Sequence, residues 1–108
     1  MLGSLVNRRA NSSSVILSNS SRPKIWIPVV QPGYDDRLIP GREGLFQERD
    51  NGDFYRSTFE AALVSKPGWI FITSWNEWWE HSHIEPSNLY DHQYLQITKE
   101  FSDTWKAE

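Results

Sequence analysis

The chain contains no cysteine. That removes disulfide scaffolds, cysteine nucleophiles and thiolate zinc sites together, though it fixes no compartment. Nor is there an apolar run near the ~18 residues that a membrane-spanning helix needs, so no membrane segment is expected in this chain. The apolar opening over residues 1–6 is too short for a signal-peptide core, and Arg8 and Arg9 follow it instead of preceding it. A large excess of charge of one sign is missing too. A formal net charge of −3 offers no basic surface for nucleic acid. No P-loop, dinucleotide-binding glycine pattern or nucleophile elbow appears.

What the chain does have is tryptophan. There are six in 108 residues, and Trp75, Trp78 and Trp79 fall within five positions. Indole suits either a core or a surface on which sugar rings stack. These three are interleaved with Asn76, Glu77 and Glu80, and each buried carboxylate needs a partner. The cluster therefore favours a site over a core.

Residues 1–22 differ from the rest, being rich in serine and asparagine around a short Val15, Ile16, Leu17 run. They are expected to form a disordered or weakly structured extension, with residues 23–108 as the organised part. Residues 25–30 are nearly continuous apolar sequence, as in a parallel strand buried on both faces. A polar stretch punctuated by glycine and proline runs on through Gly52; loops beyond about 12–15 residues in a compact domain are usually functional or disordered. Phe54, Tyr55, Thr58, Phe59, Ala62 and Leu63 fall at helical spacing after Asp53, and the Lys66, Pro67, Gly68 run ends that helix. Residues 69–73 form a second buried strand. A last helix begins near Tyr90, with Tyr94, Leu95, Ile97, Thr98, Phe101 and Trp105 inward. The order is βαβα, an α/β pattern with two parallel strands. Two strands alone leave edges and faces uncovered, so this pattern is expected to belong to a larger sheet.

The densest chemistry follows the second strand, where a barrel of alternating strands and helices presents its active site. Glu77 and Glu80 are three apart. In a helical turn they share one face, with Cβ atoms roughly 5–6 Å apart. Paired carboxyl groups at about that distance suit retaining glycoside hydrolysis, and proximity separates their proton affinities. The same spacing also describes two solvated charges on a helix face, and spacing does not decide between them. His81 and His83 beside Glu80 and Glu85 raise a metal site as an alternative, but no third histidine is close except His92. Neither a metal nor a cofactor is expected.

The run WNEWWEHSHIEPS at residues 75–87 resembles the signature of endo-α-mannosidase-type glycoside hydrolases (glycoside hydrolase family 99), written W/F-N-E-W-H-E-G-T-x-I-E-P. Three more segments agree in order: PGYDD at 32–36, RDNGDFY at 49–55 and the terminal helix after Tyr90. The resemblance covers about residues 25–106. It implies a (β/α)8 TIM barrel of which this chain holds the C-terminal two βα units, an incomplete barrel, because a complete one takes roughly 250 residues. It further implies that Glu77 is the general base, removing the proton from a sugar 2-hydroxyl so that O2 attacks the anomeric carbon. Glu80 is then the general acid on the leaving oxygen. By the same resemblance Tyr34 faces the cleaved sugar, and Asn76, Trp78 and Glu85 line or brace the pocket. The partner is an oligosaccharide or glycan.

Two departures stand out. Trp79 replaces the family's histidine, and His81 replaces its glycine, which alters the backbone freedom of the turn after Glu80. The expected activity is retaining cleavage of α-linked glycans, with this piece inactive alone. The alternative is a non-catalytic carbohydrate-binding or degenerate protein that keeps the aromatic cluster.

Overall fold

The structure is a computed structural model that describes residues 4–7, 15–17 and 23–108, with side chains from residue 24 onward. Its centre is a three-stranded sheet in the order β1 (Ser4–Asn7), β7 (Trp69–Ile72), β4 (Val29–Val30). The β4 and β7 strands run parallel, with Val29 opposite Phe71 and Val30 opposite Ile72. Helix α1 (Asp53–Val64) lies between them in sequence, and helix α2 (Gln93–Ala107) follows. This is the expected parallel βαβα pattern.

Strand β1 was not anticipated; it pairs antiparallel along the other edge of β7, from Ser4 opposite Ile72 to Asn7 opposite Trp69. The weakly structured extension expected over residues 1–22 falls mostly on positions outside the described residues. The two segments described within it, β1 and β2 (Val15–Leu17), are strands.

The strand expected over residues 25–30 is broken. Its start belongs to β3 (Pro23–Ile25), which pairs antiparallel with β2, and only Val29 and Val30 join the main sheet. Pro28 explains the break: it has no N–H to give a ladder, while its carbonyl accepts from the Phe71 amide at 3.0 Å. Burial on both faces fails as well. Val30 is fully buried, but Ile25, Trp26, Ile27 and Val29 are exposed.

The core sits where the two helices cover β7. Tyr55, Phe59 and Ala62 of α1 meet Tyr94, Ile97 and Trp105 of α2 over Val30, Ile70, Ile72 and Ile84. Phe59 stacks on Phe101 with ring centroids 4.9 Å apart. The buried Tyr55 hydroxyl bonds Thr98 Oγ1 at 2.8 Å, and burial raises its pKa. The indole N–H of Trp105 donates to the Pro67 carbonyl at 2.9 Å, tying α2 to the turn before β7.

The long polar stretch is ordered. A hairpin pairs β5 (Tyr34–Asp35) with β6 (Phe46–Gln47), and a short 3-10 turn over Asp50–Gly52 leads into α1. Gly52 starts α1 with φ of 94°, a left-handed conformation that favours glycine.

Candidate active site

Beyond β7 the chain makes a closed turn pinned by serine. Ser74 is fully buried; its amide donates to the Ser82 carbonyl at 2.8 Å and its hydroxyl meets the Ser82 hydroxyl at 3.0 Å. The same hydroxyl accepts from the Glu77 amide at 3.0 Å. Glu85 and Ile84 donate back to the Trp75 and Ser74 carbonyls, both at 2.9 Å. Between these ties the turn is not helical as the spacing suggested. Trp78 N bonds the Asn76 carbonyl and His81 N bonds the Trp78 carbonyl, so the serine ties shape it in place of a helical ladder.

Glu80 points into a charged network. Its carboxylate pairs with Arg42 at 2.5 Å. Arg42 also donates to the Tyr34 hydroxyl at 3.2 Å and lies 3.7 Å from the Asp36 carboxylate. Tyr34 donates to Asp36 at 2.9 Å, and the other Asp36 oxygen accepts from the Leu45 amide at 2.6 Å. Desolvation, the bond to Asp36 and the nearby Glu80 charge all raise the Tyr34 pKa, keeping the phenol protonated. The hairpin holds the turn by its backbone too, since Asp35 N donates to the Glu80 carbonyl at 2.7 Å. Asp35 itself is held down to about 2 by the two-pronged hydrogen bond from Arg37.

The anticipated site residues are thus divided. Tyr34 and Glu80 meet through Arg42, and Glu77 sits on the same serine-pinned turn, half-buried. Asn76 is exposed, and Glu85 is half-buried with its amide bound to Trp75. Trp78 is 43% exposed and packs one face on His83, with ring centroids 4.1 Å apart. Trp79 is 74% exposed, so the two indoles offer flat apolar faces beside the carboxylates.

Of four further residues of the site, Arg42 had no sequence signal, Asp36 and Arg49 were only members of the PGYDD and RDNGDFY segments, and His83 was raised only as a metal ligand. Arg42 and Arg49 reach Glu80, His81 and His83 across more than 30 residues, so only the fold joins them, whereas Asp36 bonds the nearby Tyr34 and Leu45. His83 is buried between Trp78 and Tyr90 with neither ring nitrogen hydrogen-bonded. Desolvation first, then the Arg49 and His81 charges, lower its pKa to about 4. Arg49 is buried with its guanidinium 4.2 Å from the Tyr90 ring centre and 4.5 Å from that of Tyr94. A pocket lined by Tyr34, Gln47, Arg49, His81 and Tyr90, among others, opens beside the turn. His81, directly after Glu80, has φ of 49°, a left-handed conformation that costs a non-glycine residue roughly 1–2 kcal/mol. Among the described residues no cluster of three or more histidines and carboxylates is arranged to hold a metal.

Comparison with known proteins bears on this geometry. The sequence profile described as Glycosyl hydrolase family 99 matches residues 5–107. The chain is 36% identical over 99 residues to the human glycoprotein endo-alpha-1,2-mannosidase-like protein, spanning 78% of this chain and 22% of the relative. It is 35% identical over 99 residues to the glycoprotein endo-alpha-1,2-mannosidase of Rattus norvegicus, spanning 78% and 21%. Among solved structures, a family 99 endo-alpha-mannosidase of Bacteroides thetaiotaomicron superposes with a TM-score of 0.68 at 34% identity, over 75% of this chain and 30% of that one. The chain therefore spans about a fifth of the length of the curated relatives it matches.

Proposed function

The chain belongs to glycosyl hydrolase family 99, and from that premise we propose that it supplies the acid–base pair of a retaining endo-α-mannosidase. Its two βα units are then the last two of a (β/α)8 barrel, which puts Glu77 and Glu80 at the strand ends where barrels carry their chemistry. The observation that carries the proposal is the turn after β7. Serine ties fix its backbone, and Glu80 is turned toward Tyr34 across Arg42.

Glu77 acts as the base. It takes the proton of the 2-hydroxyl of the mannosyl residue, O2 attacks the anomeric carbon, and the bond to the leaving oxygen breaks as Glu80 delivers a proton to it. The product of this step is an anhydrosugar. Water then opens it: Glu80 removes a proton from the water, and Glu77 returns one to O2. Two inversions at the anomeric carbon give net retention. Because Glu80 is paired with Arg42, it must release that guanidinium and take up a proton before it can act as the acid. The exposed Trp78 and Trp79 faces suit stacking of neighbouring sugar rings.

The test uses α-linked mannooligosaccharides with the chain alone and with the chain joined to the preceding part of a relative's barrel. We expect cleavage with retention from the joined protein and none from the chain alone. Glu80→Gln and Glu77→Gln should each lower the rate by about 10²–10⁴-fold, the usual worth of a positioned acid or base. An inverted product, or a folded Glu80→Gln protein that cleaves normally, overturns the proposal. Tryptophan fluorescence that saturates with glycan in a joined protein that never cleaves it supports a binding role instead.

A further inference from the structure

Three main-chain carbonyls at and just after Glu80 are gripped from the β5–β6 hairpin side. Asp35 N donates to the carbonyl of Glu80 at 2.7 Å. The Nη2 group of Arg49, two residues past β6, donates to the carbonyls of His81 at 3.1 Å and His83 at 3.0 Å. Arg49 is itself wedged: a Cβ on Gly33 would come within 2.5 Å of its Cγ, and Tyr90 and Tyr94 lie against its guanidinium. Both of its hydrogen bonds to main-chain carbonyls go to this one turn.

What the turn needs held is evident from His81. That residue carries a side chain at φ of 49°, where glycine is favoured, and it directly follows Glu80. Left to its own preference, His81 leaves the left-handed region. The Glu80 backbone then rotates with it, since the two share a peptide unit. Donation from Arg49 to the His81 carbonyl opposes that rotation on one side, and the Ser74–Ser82 tie opposes it on the other.

We propose that Arg49 is the positioning residue for Glu80, acting by clamping the strained peptide after it. The purpose of the clamp rests on the catalytic role proposed for Glu80; the clamp itself does not. Its action depends on the side chain at position 81, which gives the test its form. With glycine at 81 the left-handed conformation carries no penalty, and Arg49 becomes dispensable to the turn.

Amide hydrogen exchange on the full chain reads this directly. In Arg49→Met the Asp35 amide, whose acceptor is the Glu80 carbonyl, should exchange at least about tenfold faster, while the Phe71 amide in the sheet keeps its protection. Adding His81→Gly should return Asp35 to within about threefold of the parent. Unchanged exchange at Asp35 in Arg49→Met overturns the proposal, and so does equal acceleration with histidine or glycine at 81. If Arg49→Met fails to fold, Arg49→Met/His81→Gly must fold; failure of both overturns it as well. A clamp found in a protein whose Glu80→Gln variant still cleaves glycan keeps the positioning and removes the catalytic reading. Loss of activity on Glu80→Gln with no clamp removes Arg49 alone.

Discussion

On the helix side of β7, Ile70, Ile72, Tyr55, Phe59, Ile97 and Trp105 close on one another as apolar surface. Past its C-terminal end, over residues 74–85, the chain is held by serine hydroxyls, a buried arginine and a buried histidine. The first region depends on how much surface leaves water and tolerates many arrangements of similar volume. The second depends on individual bonds of fixed direction, and it contains backbone that is unfavourable unless held. The two regions are therefore held by different kinds of interaction, although a single strand joins them. The difference also implies different sensitivities, to volume in the core and to protons in the turn.

The sharpest way to break that contrast is at Trp105. Trp105→Ala removes a fully buried indole and its bond to Pro67, and should cost about 3–5 kcal/mol in urea unfolding, with no change in how stability varies with pH. A pH-dependent loss would show that core and turn are not separable. Acidification comes next. Folded His83 stays neutral down to about pH 4, whereas in the unfolded chain it takes a proton near its ordinary value of 6.5. Between those values the unfolded state binds more protons, so stability is complete above about pH 6.5 and falls as pH drops toward 4. The full loss is on the order of 3 kcal/mol. The positive charge of Arg49 acts in the same direction as burial. His83→Phe should flatten that limb in thermal unfolding measured from pH 7 to 4; an unaltered limb would place the acid sensitivity elsewhere. The smallest effect is expected at the exposed Arg56–Glu100 pair between α1 and α2, bonded at 2.7 Å. Arg56→Gln should shift stability by no more than about 1 kcal/mol, and less at high salt.

The same division decided what could be read from sequence. Helix α1 announced itself because Tyr55, Phe59 and Ala62 recur at helical spacing, and α2 because Tyr94, Ile97 and Trp105 do. Both repeat an apolar period that burial imposes. The start of α2 was placed at Tyr90, three residues early, because Asp91 turns left-handed at φ of 47° and pairs with Ser87 first. The β5–β6 hairpin was invisible, since strands of two residues have no period to detect. In the site, Glu77 and Glu80 were legible because local sequence carries them together. Arg42 and Arg49 were not: they reach Glu80 and His81 across 38 and 32 residues, and a charged residue in a polar loop has nothing to mark it before the chain folds. One usable signal existed. Histidine stood where a glycine was anticipated, and the arginine of the RDNGDFY segment donates to that residue's carbonyl.

The bond from Trp105 to Pro67 also has a consequence for the order of events during synthesis. Residue 67 is added to the nascent chain 38 residues before its partner. Until then Ile70 and Ile72 have α1 on hand but not the α2 residues that complete their cover. Shielding of β7 is thus deferred until α2 has been made, and the interval before it is the one in which the nascent chain has most need of a chaperone.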